Sequence, residues 1–350
     1  MEILIVKTSA IGDVTHTLPA LNALRKKYPE ARITWLVEEA AADVVRGHKS
    51  LDRLLVSGRK RWTKELCGRK FFSTLREVSG FIRELRDTRY DLLIDFQGLL
   101  KSGIFVALTR AERKVGFGRG MEHAECSWLF LNERIPAVNM NIHALDRELL
   151  LLKAIGVECN EVRFDFPIGE KDTQRVAEIL RAAGIGPEDS LIAINPHATW
   201  PTKLWDNDKF ASLARSLVDK KIKVVFTGGP SEEPEIDDLI SRFGIKAMNL
   251  AGKTSLKELA ALYQRAKILI TTDTGPMHIA AAVGTPVAAV FGPTAPWRTG
   301  PYGRGHRILR SKIECSPCLK KDCVDKQCMQ RISTEQVLEA VDQILCDNQK

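Results

Sequence analysis

No G-x-x-x-x-G-K-[ST] occurs among the 350 residues, and no G-x-G-x-x-G follows the first apolar run. A Walker-type phosphate loop and the common dinucleotide fingerprint are both missing, which argues against ATP hydrolysis and ordinary nicotinamide chemistry. There is also no G-x-S-x-G elbow and no H-E-x-x-H pair, so the usual serine-hydrolase and zinc-protease readings have no support. Long apolar runs are lacking as well: Gly284 and Pro286 interrupt the most apolar region, and no transmembrane segment is expected. The opening MEILIVK carries neither a basic leader nor a small-residue cleavage site, so a cytoplasmic location is the expectation. Short-period repeats and low-complexity tracts are absent too.

What is present is an ordinary globular composition, 44% hydrophobic and 27% charged, with a formal net charge of +8. That excess favours an anionic partner: nucleic acid, an anionic membrane surface or a phosphorylated substrate. Of eight cysteines, Cys67, Cys126, Cys159 and Cys346 are scattered and read as reduced thiols. Cys315, Cys318, Cys323 and Cys328 form a compact cluster. Four thiolates can hold structural zinc or iron tetrahedrally; free or redox-active thiols are the alternative.

Apolar runs alternate with helical stretches along the whole chain, which predicts an α/β protein with parallel sheets covered on both faces. The first series comprises runs at Glu2 to Lys7, Ile33 to Val37, Arg53 to Val56, Leu92 to Asp95 and Lys114 to Phe117, with a polar turn at Thr8 to Asp13 before a helix from about Thr17 to Lys27. The pattern weakens between Gly156 and Glu170, where the domain boundary is placed. A second series then includes strands at Leu191 to Asn195, Lys223 to Thr227 and Ile268 to Ile270. Two doubly wound, Rossmann-like halves in tandem are expected, residues 1–165 and 166–330, with facing loop edges forming a cleft.

In such sheets ligands bind beyond the carboxyl ends of the strands, so the loops there carry the chemistry. In ILITTDTGPMHIAAAVG (Ile268 to Gly284), a strand breaks at Asp273-Thr274-Gly275-Pro276 and resumes as a helix containing His278. Such a helix start attracts anions, a diphosphate in particular, although Asp273 or Thr274 could simply cap it. Asp13, beside Gly12, is the candidate general base for a bound hydroxyl, with a helix cap as the alternative. Lys203, in a loop with Thr199 and Thr202, could neutralise a phosphate. Glu232, beyond Gly228-Gly229-Pro230, is placed to reach a ribose, and it also suits the first turn of a helix. The run Arg59-Lys60-Arg61-Trp62-Thr63-Lys64 could hold a phosphorylated acceptor or nucleic acid, or be a solvated face.

KTSAIGDVTHTLPALNALR (Lys7 to Arg25) together with DTGPMHIAAAVGTPVAAVFGPT (Asp273 to Thr294) resembles glycosyltransferase family nine, the ADP-heptose:lipopolysaccharide heptosyltransferases. The opening motif and the HAT…K-x-W pattern of His197 to Trp205 look most like its heptosyltransferase I type, which adds the first heptose to the Kdo of the inner core. The resemblance implies a GT-B fold with an N-terminal acceptor domain, a C-terminal donor domain, and a final segment, 331–350, whose helix returns to the first domain. It also implies inverting transfer that needs no cofactor, with Asp13 as general base. Thr199, Lys203, Asp273, Thr274, Gly275 and His278 would hold the diphosphate of ADP-heptose, and Glu232 the ribose. Lys7, Ser9, Gly12, Arg59 and Arg61 fall on the acceptor side, toward a phosphorylated Kdo-lipid A at the inner-membrane surface. Another acceptor, whether a second heptose position or a protein hydroxyl, or another nucleotide sugar, is the alternative within the family. A basic nucleic-acid-binding protein with a zinc knuckle at the cysteines is the reading from a different class.

Overall fold

The computed structural model describes residues 1–121 and 125–347. The chain divides into two compact units, Met1–Pro167 and Ile168–Lys350, and the break falls in the weakly patterned segment where Pro167 and Gly169 interrupt regular structure. The last three residues of the expected 331–350 segment lie outside the described residues.

The first unit is built on six parallel strands: β1 (Glu2–Val6), β2 (Arg32–Glu38), β3 (Arg53–Ser57), β4 (Tyr90–Asp95), β5 (Ala111–Phe117) and β6 (Glu133–Ile135), in the order β3-β2-β1-β4-β5-β6. The central strands are apolar on both faces because helices cover both sides of the sheet; Ile3, Leu4, Ile5 and Val6 are all fully buried. Each such side chain stabilises the fold by about 1.5–3 kcal/mol relative to exposure. Val6 lies opposite both Leu36 and Asp95, so the residues after β1 emerge beside those after β4.

The second unit repeats the plan with β7 (Leu191–Asn195), β8 (Lys223–Phe226), β9 (Met248–Asn249), β10 (Ile268–Thr272), β11 (Val287–Phe291) and β12 (Arg307–Arg310), all parallel and ordered β12-β11-β10-β7-β8-β9. Renumbered from its own first strand, this is the same order as in the first unit. In each sheet the chain winds one way from the first strand and then reverses, at β1/β4 and at β7/β10. Those reversals are where a doubly wound sheet opens a crevice for ligand. Thr271 pairs with Asn195, so the loops after β7 and β10 start side by side.

Two local departures from the sequence reading have physical causes. Thr8 to Asp13 is not all turn: a helix, Ile11–His16, precedes Leu18–Lys27, and Asp13 sits in its first turn. Hydroxyls stabilise this short helix, since Thr15 Oγ1 donates to the Ile11 carbonyl at 2.8 Å and Thr17 Oγ1 to that of Asp13 at 3.0 Å. Strands β6 and β12 went unread because they are short edges with charged sequences, ERI and RILR. In the final helix, Thr334–Asp347, the side chains of Val337, Val341 and Ile344 bury in the second unit's core with Ile192, Phe210 and Phe226. Trp205 Nε1 reinforces that docking by donating to the Ile332 carbonyl at 3.0 Å. Among the described residues, no helix is long and apolar enough to cross a membrane.

Candidate active site

The strand ends of the first unit are crowded with charge. Asp13 is exposed, and its Oδ2 accepts the Ala10 N–H at 3.0 Å. The carboxylate therefore makes the cap foreseen as the alternative. Lys7 turns inward: its Nζ lies 2.6 Å from Glu148 Oε1 and donates to the Phe96 carbonyl at 3.1 Å, with both side chains buried. Burial acts to lower the lysine's pKa, but Glu148, Asp13 and Asp95 outweigh it, so the ammonium is held above its ordinary value. Gln97 Oε1 accepts from the backbone of Thr8 and Ser9, each at 3.0 Å, and Ser9 Oγ accepts from Lys101. Gly12 is buried within the short helix.

Asp95, at the end of β4, accepts N–H bonds from Gln97 and Gly98 at 3.0 and 3.1 Å and the Ser102 hydroxyl at 3.0 Å. Burial still pushes its pKa up to about 6, because three neutral donors do not replace full hydration. Arg59 and Arg61 are both engaged: Arg59 Nη2 lies 2.8 Å from the buried Glu38, and Arg61 meets Glu39 and Glu77 at 2.9 Å and Glu65 at 3.2 Å. Sequence reasoning missed these partners because carboxylates distant in sequence supply most of them.

In the second unit the helix Gly275–Ala282 starts at Thr274, whose side chain makes no cap, with Pro276 in the first turn. That removes Thr274 as a side-chain cap; Pro276 carries no N–H and the Met277 N–H donates to the Thr274 carbonyl at 3.2 Å, so the helix start presents the Gly275 N–H. Asp273 and Lys203, from the loops after β10 and β7, meet at 2.7 Å. Lys203 Nζ also lies 4.5 Å from the centre of the Trp200 ring, and Lys321 Nζ 5.0 Å from it, so the indole is flanked by two ammonium groups. His278 is buried in that helix, whereas Thr199 is exposed. Thr202 faces away, donating to the Lys320 carbonyl at 2.8 Å.

Glu232 closes the turn after β8, its Oε2 accepting the Gly229 N–H at 2.7 Å. Gly228 is required for this: a Cβ there would fall 2.6 Å from the same carboxylate oxygen. Behind the turn, Asn195 donates to the Thr227 carbonyl at 3.0 Å and Thr227 Oγ1 lies 3.0 Å from Tyr263 Oη, a buried network joining β7, β8 and the helix Leu256–Arg265.

Residues 78–329 match the family model described as glycosyltransferase family 9 (heptosyltransferase). The chain belongs to glycosyltransferase family 9. It is accordingly a glycosyltransferase, with the two Rossmann-ordered sheets of the GT-B class. It is 31% identical to lipopolysaccharide heptosyltransferase 1 of Pseudomonas aeruginosa, over 92% of this chain and 87% of the other. With the Escherichia coli K12 protein of the same name it shares 30% identity over 90% of this chain and 95% of the other. The structure of E. coli heptosyltransferase WaaC with ADP superposes with a TM-score of 0.80 at 26% identity, covering 98% of this chain and all (100%) of that one.

The cysteines of this family 9 glycosyltransferase require a separate account. Cys315, Cys318, Cys323 and Cys328 all line one cavity of about 430 Å³, with Lys320 and Lys326 at its wall. All four are free thiols, and burial with the neighbouring sulfurs raises the pKa of Cys328. Among the described residues no three His, Cys, Asp or Glu side chains are grouped so that they could hold a metal ion. The expected zinc or iron ligands thus share a cavity without forming a coordination site, and no role is assigned to a metal there.

Proposed function

We propose that the protein transfers heptose from ADP-heptose to the Kdo-lipid A inner core of lipopolysaccharide, with inversion at the anomeric carbon. The uncapped helix start at Thr274, with Lys203 beside it at Asp273, carries this reading in a chain of this family. ADP is the ligand named for the superposable WaaC structure, and lipopolysaccharide is named for the relatives. Asp13 takes the proton of the acceptor hydroxyl as its oxygen attacks the anomeric carbon. The bond from that carbon to the diphosphate breaks, and ADP departs with the electron pair. Charge grows on the leaving phosphate, so Lys203 and the positive start of the helix Gly275–Ala282 stabilise the transition state more than the ground state. Thr199 and His278 complete the phosphate contacts, and Glu232 takes the ribose hydroxyls. No cofactor enters these steps.

On the acceptor side, Ser9 and the helix start at Gly12 line the approach to Asp13, and Arg59 and Arg61 exchange part of their carboxylate contacts for acceptor phosphates. Lys7 acts from behind, keeping positive charge under the loop. The work is done at the cytoplasmic face of the inner membrane. ADP release from ADP-heptose and Kdo-lipid A is the direct assay. Asp13→Asn keeps the hydrogen bond to Ala10 but cannot accept the proton, and should lower turnover by about 10²–10⁴-fold with ADP binding unchanged. Full turnover by that variant would end the proposed mechanism, and a donor panel in which ADP-heptose is inert would end the donor assignment.

A further inference from the structure

Between Arg59 and Arg76 the chain carries seven basic residues, Arg59, Lys60, Arg61, Lys64, Arg69, Lys70 and Arg76, against a single acid, Glu65. Glu65 is met by Arg61 and by the Thr74 hydroxyl, each at 3.2 Å, and at 3.5 Å by the exposed Lys70. Lys64, Arg69, Lys70 and Arg76 all face solvent. In their midst begins the helix Phe71–Arg86, whose inward stripe, Thr74, Phe81 and Leu85, is buried. Its outward side starts with Phe71, Phe72 and Leu75, which are 42%, 83% and 46% exposed. The two phenyl rings pack edge-to-face at 5.4 Å, so they stand together as one apolar knob rather than folding back onto the sheet.

Exposing two adjacent phenylalanines and a leucine is costly in water, and a ring of ammonium and guanidinium groups opposes burial against another copy of the same surface. Single-stranded nucleic acid also suits basic residues with aromatics, but it needs separate ring faces on which successive bases stack, whereas these two rings occupy each other. A bilayer with anionic headgroups meets both halves of the pattern: apolar side chains enter the acyl boundary while the surrounding cations sit at the phosphates.

We propose that this helix start, Phe71, Phe72 and Leu75 with Lys64, Arg69, Lys70 and Arg76, is the surface by which the protein docks on an anionic membrane. The proposal deepens the reading of a lipid-borne acceptor. Its test uses neither donor nor acceptor, so its failure and the failure of the transferase reading are separable.

The full chain is floated with vesicles of phosphatidylethanolamine and phosphatidylglycerol, and separately with pure phosphatidylcholine. Binding is expected only to the anionic vesicles and should fall with added salt. Phe71→Ser/Phe72→Ser should reduce it roughly tenfold or more at low salt, and Arg69→Gln/Lys70→Gln should reduce it and flatten its salt dependence. Both pairs are exposed, so both variants should keep the wild-type melting temperature and ADP affinity. The proposal is overturned if the wild-type chain stays with the soluble fraction, or if the serine variant floats as well as wild type. It is also overturned if the patch variants instead lose binding to a single-stranded oligonucleotide or lose a concentration-dependent dimer.

Discussion

Two sheets with the same strand order end in opposite kinds of chemistry. Past the strand ends of the first unit the cations are matched, Lys7 by buried Glu148, Arg59 and Lys101 by buried Glu38, and Arg61 by Glu39 and Glu77, while Asp13 is exposed. At the β7/β10 reversal the backbone itself is the cation, an uncapped helix start with one lysine held by one aspartate. The strand order therefore decides where a ligand goes, and the residues past the strand ends decide what kind. A preorganised acid-base surface suits a hydroxyl that must lose a proton. A helix start beside a lysine suits the departing diphosphate proposed above.

Removing the central cation from each half is the strongest way to test the contrast. Lys7→Met leaves Glu148 buried and unpaired, and should destabilise the protein by about 3–5 kcal/mol, read as a lower midpoint in urea unfolding. Lys203→Met should instead act on binding: ADP affinity measured by calorimetry should fall by about 10–100-fold, the scale of a lost charge-assisted hydrogen bond. If the two substitutions gave the same pattern, with both mainly lowering stability or both mainly lowering affinity, the distinction between the halves would collapse.

A smaller effect is expected from Asp95. Its carboxyl has a folded pKa of about 6 against 3.8 in the unfolded chain, so between those values the native state binds more protons. Its contribution to stability therefore declines as pH rises through that window, by about 3 kcal/mol in total. Asp95→Asn can still accept the Gln97 and Gly98 N–H bonds and carries no proton. Unfolding measured at several pH values should show a flatter profile for the variant between about pH 4 and pH 6. An unchanged profile would mean that Asp95 is ionised throughout.

How much of this could be read from the residues differs between backbone and side chains. Strands β1, β4, β7 and β10 were legible because central parallel strands are apolar throughout, whereas β6 and β12 carry the charges of exposed edges. The loops after strands were correctly located, and Lys203 and Asp273, 70 positions apart, do converge. The short helix holding Asp13 was hidden by its sequence, IGDVTH, whose glycine and β-branched residues are poor helix formers. The partners of the basic residues were not legible at all. Glu148 lies 141 positions from Lys7, and nothing local in either segment announces the pair. Glu38 ends, and Glu39 follows, a strand that looked merely structural. Asp95, however, could have been found: a lone carboxylate ending an apolar strand at the reversal point is the kind of residue such a sheet buries for a purpose.

The final helix has a genetic consequence. Because it buries its apolar face among residues of the second unit, everything from Ile168 to the last described residue, Asp347, belongs to one unbroken stretch of chain. One crossover near the codon for Pro167 would exchange the whole second unit between two such genes without dividing its hydrophobic core. Under the proposed division of labour, recombination would then sample new acceptors while the second unit is inherited as a single cassette.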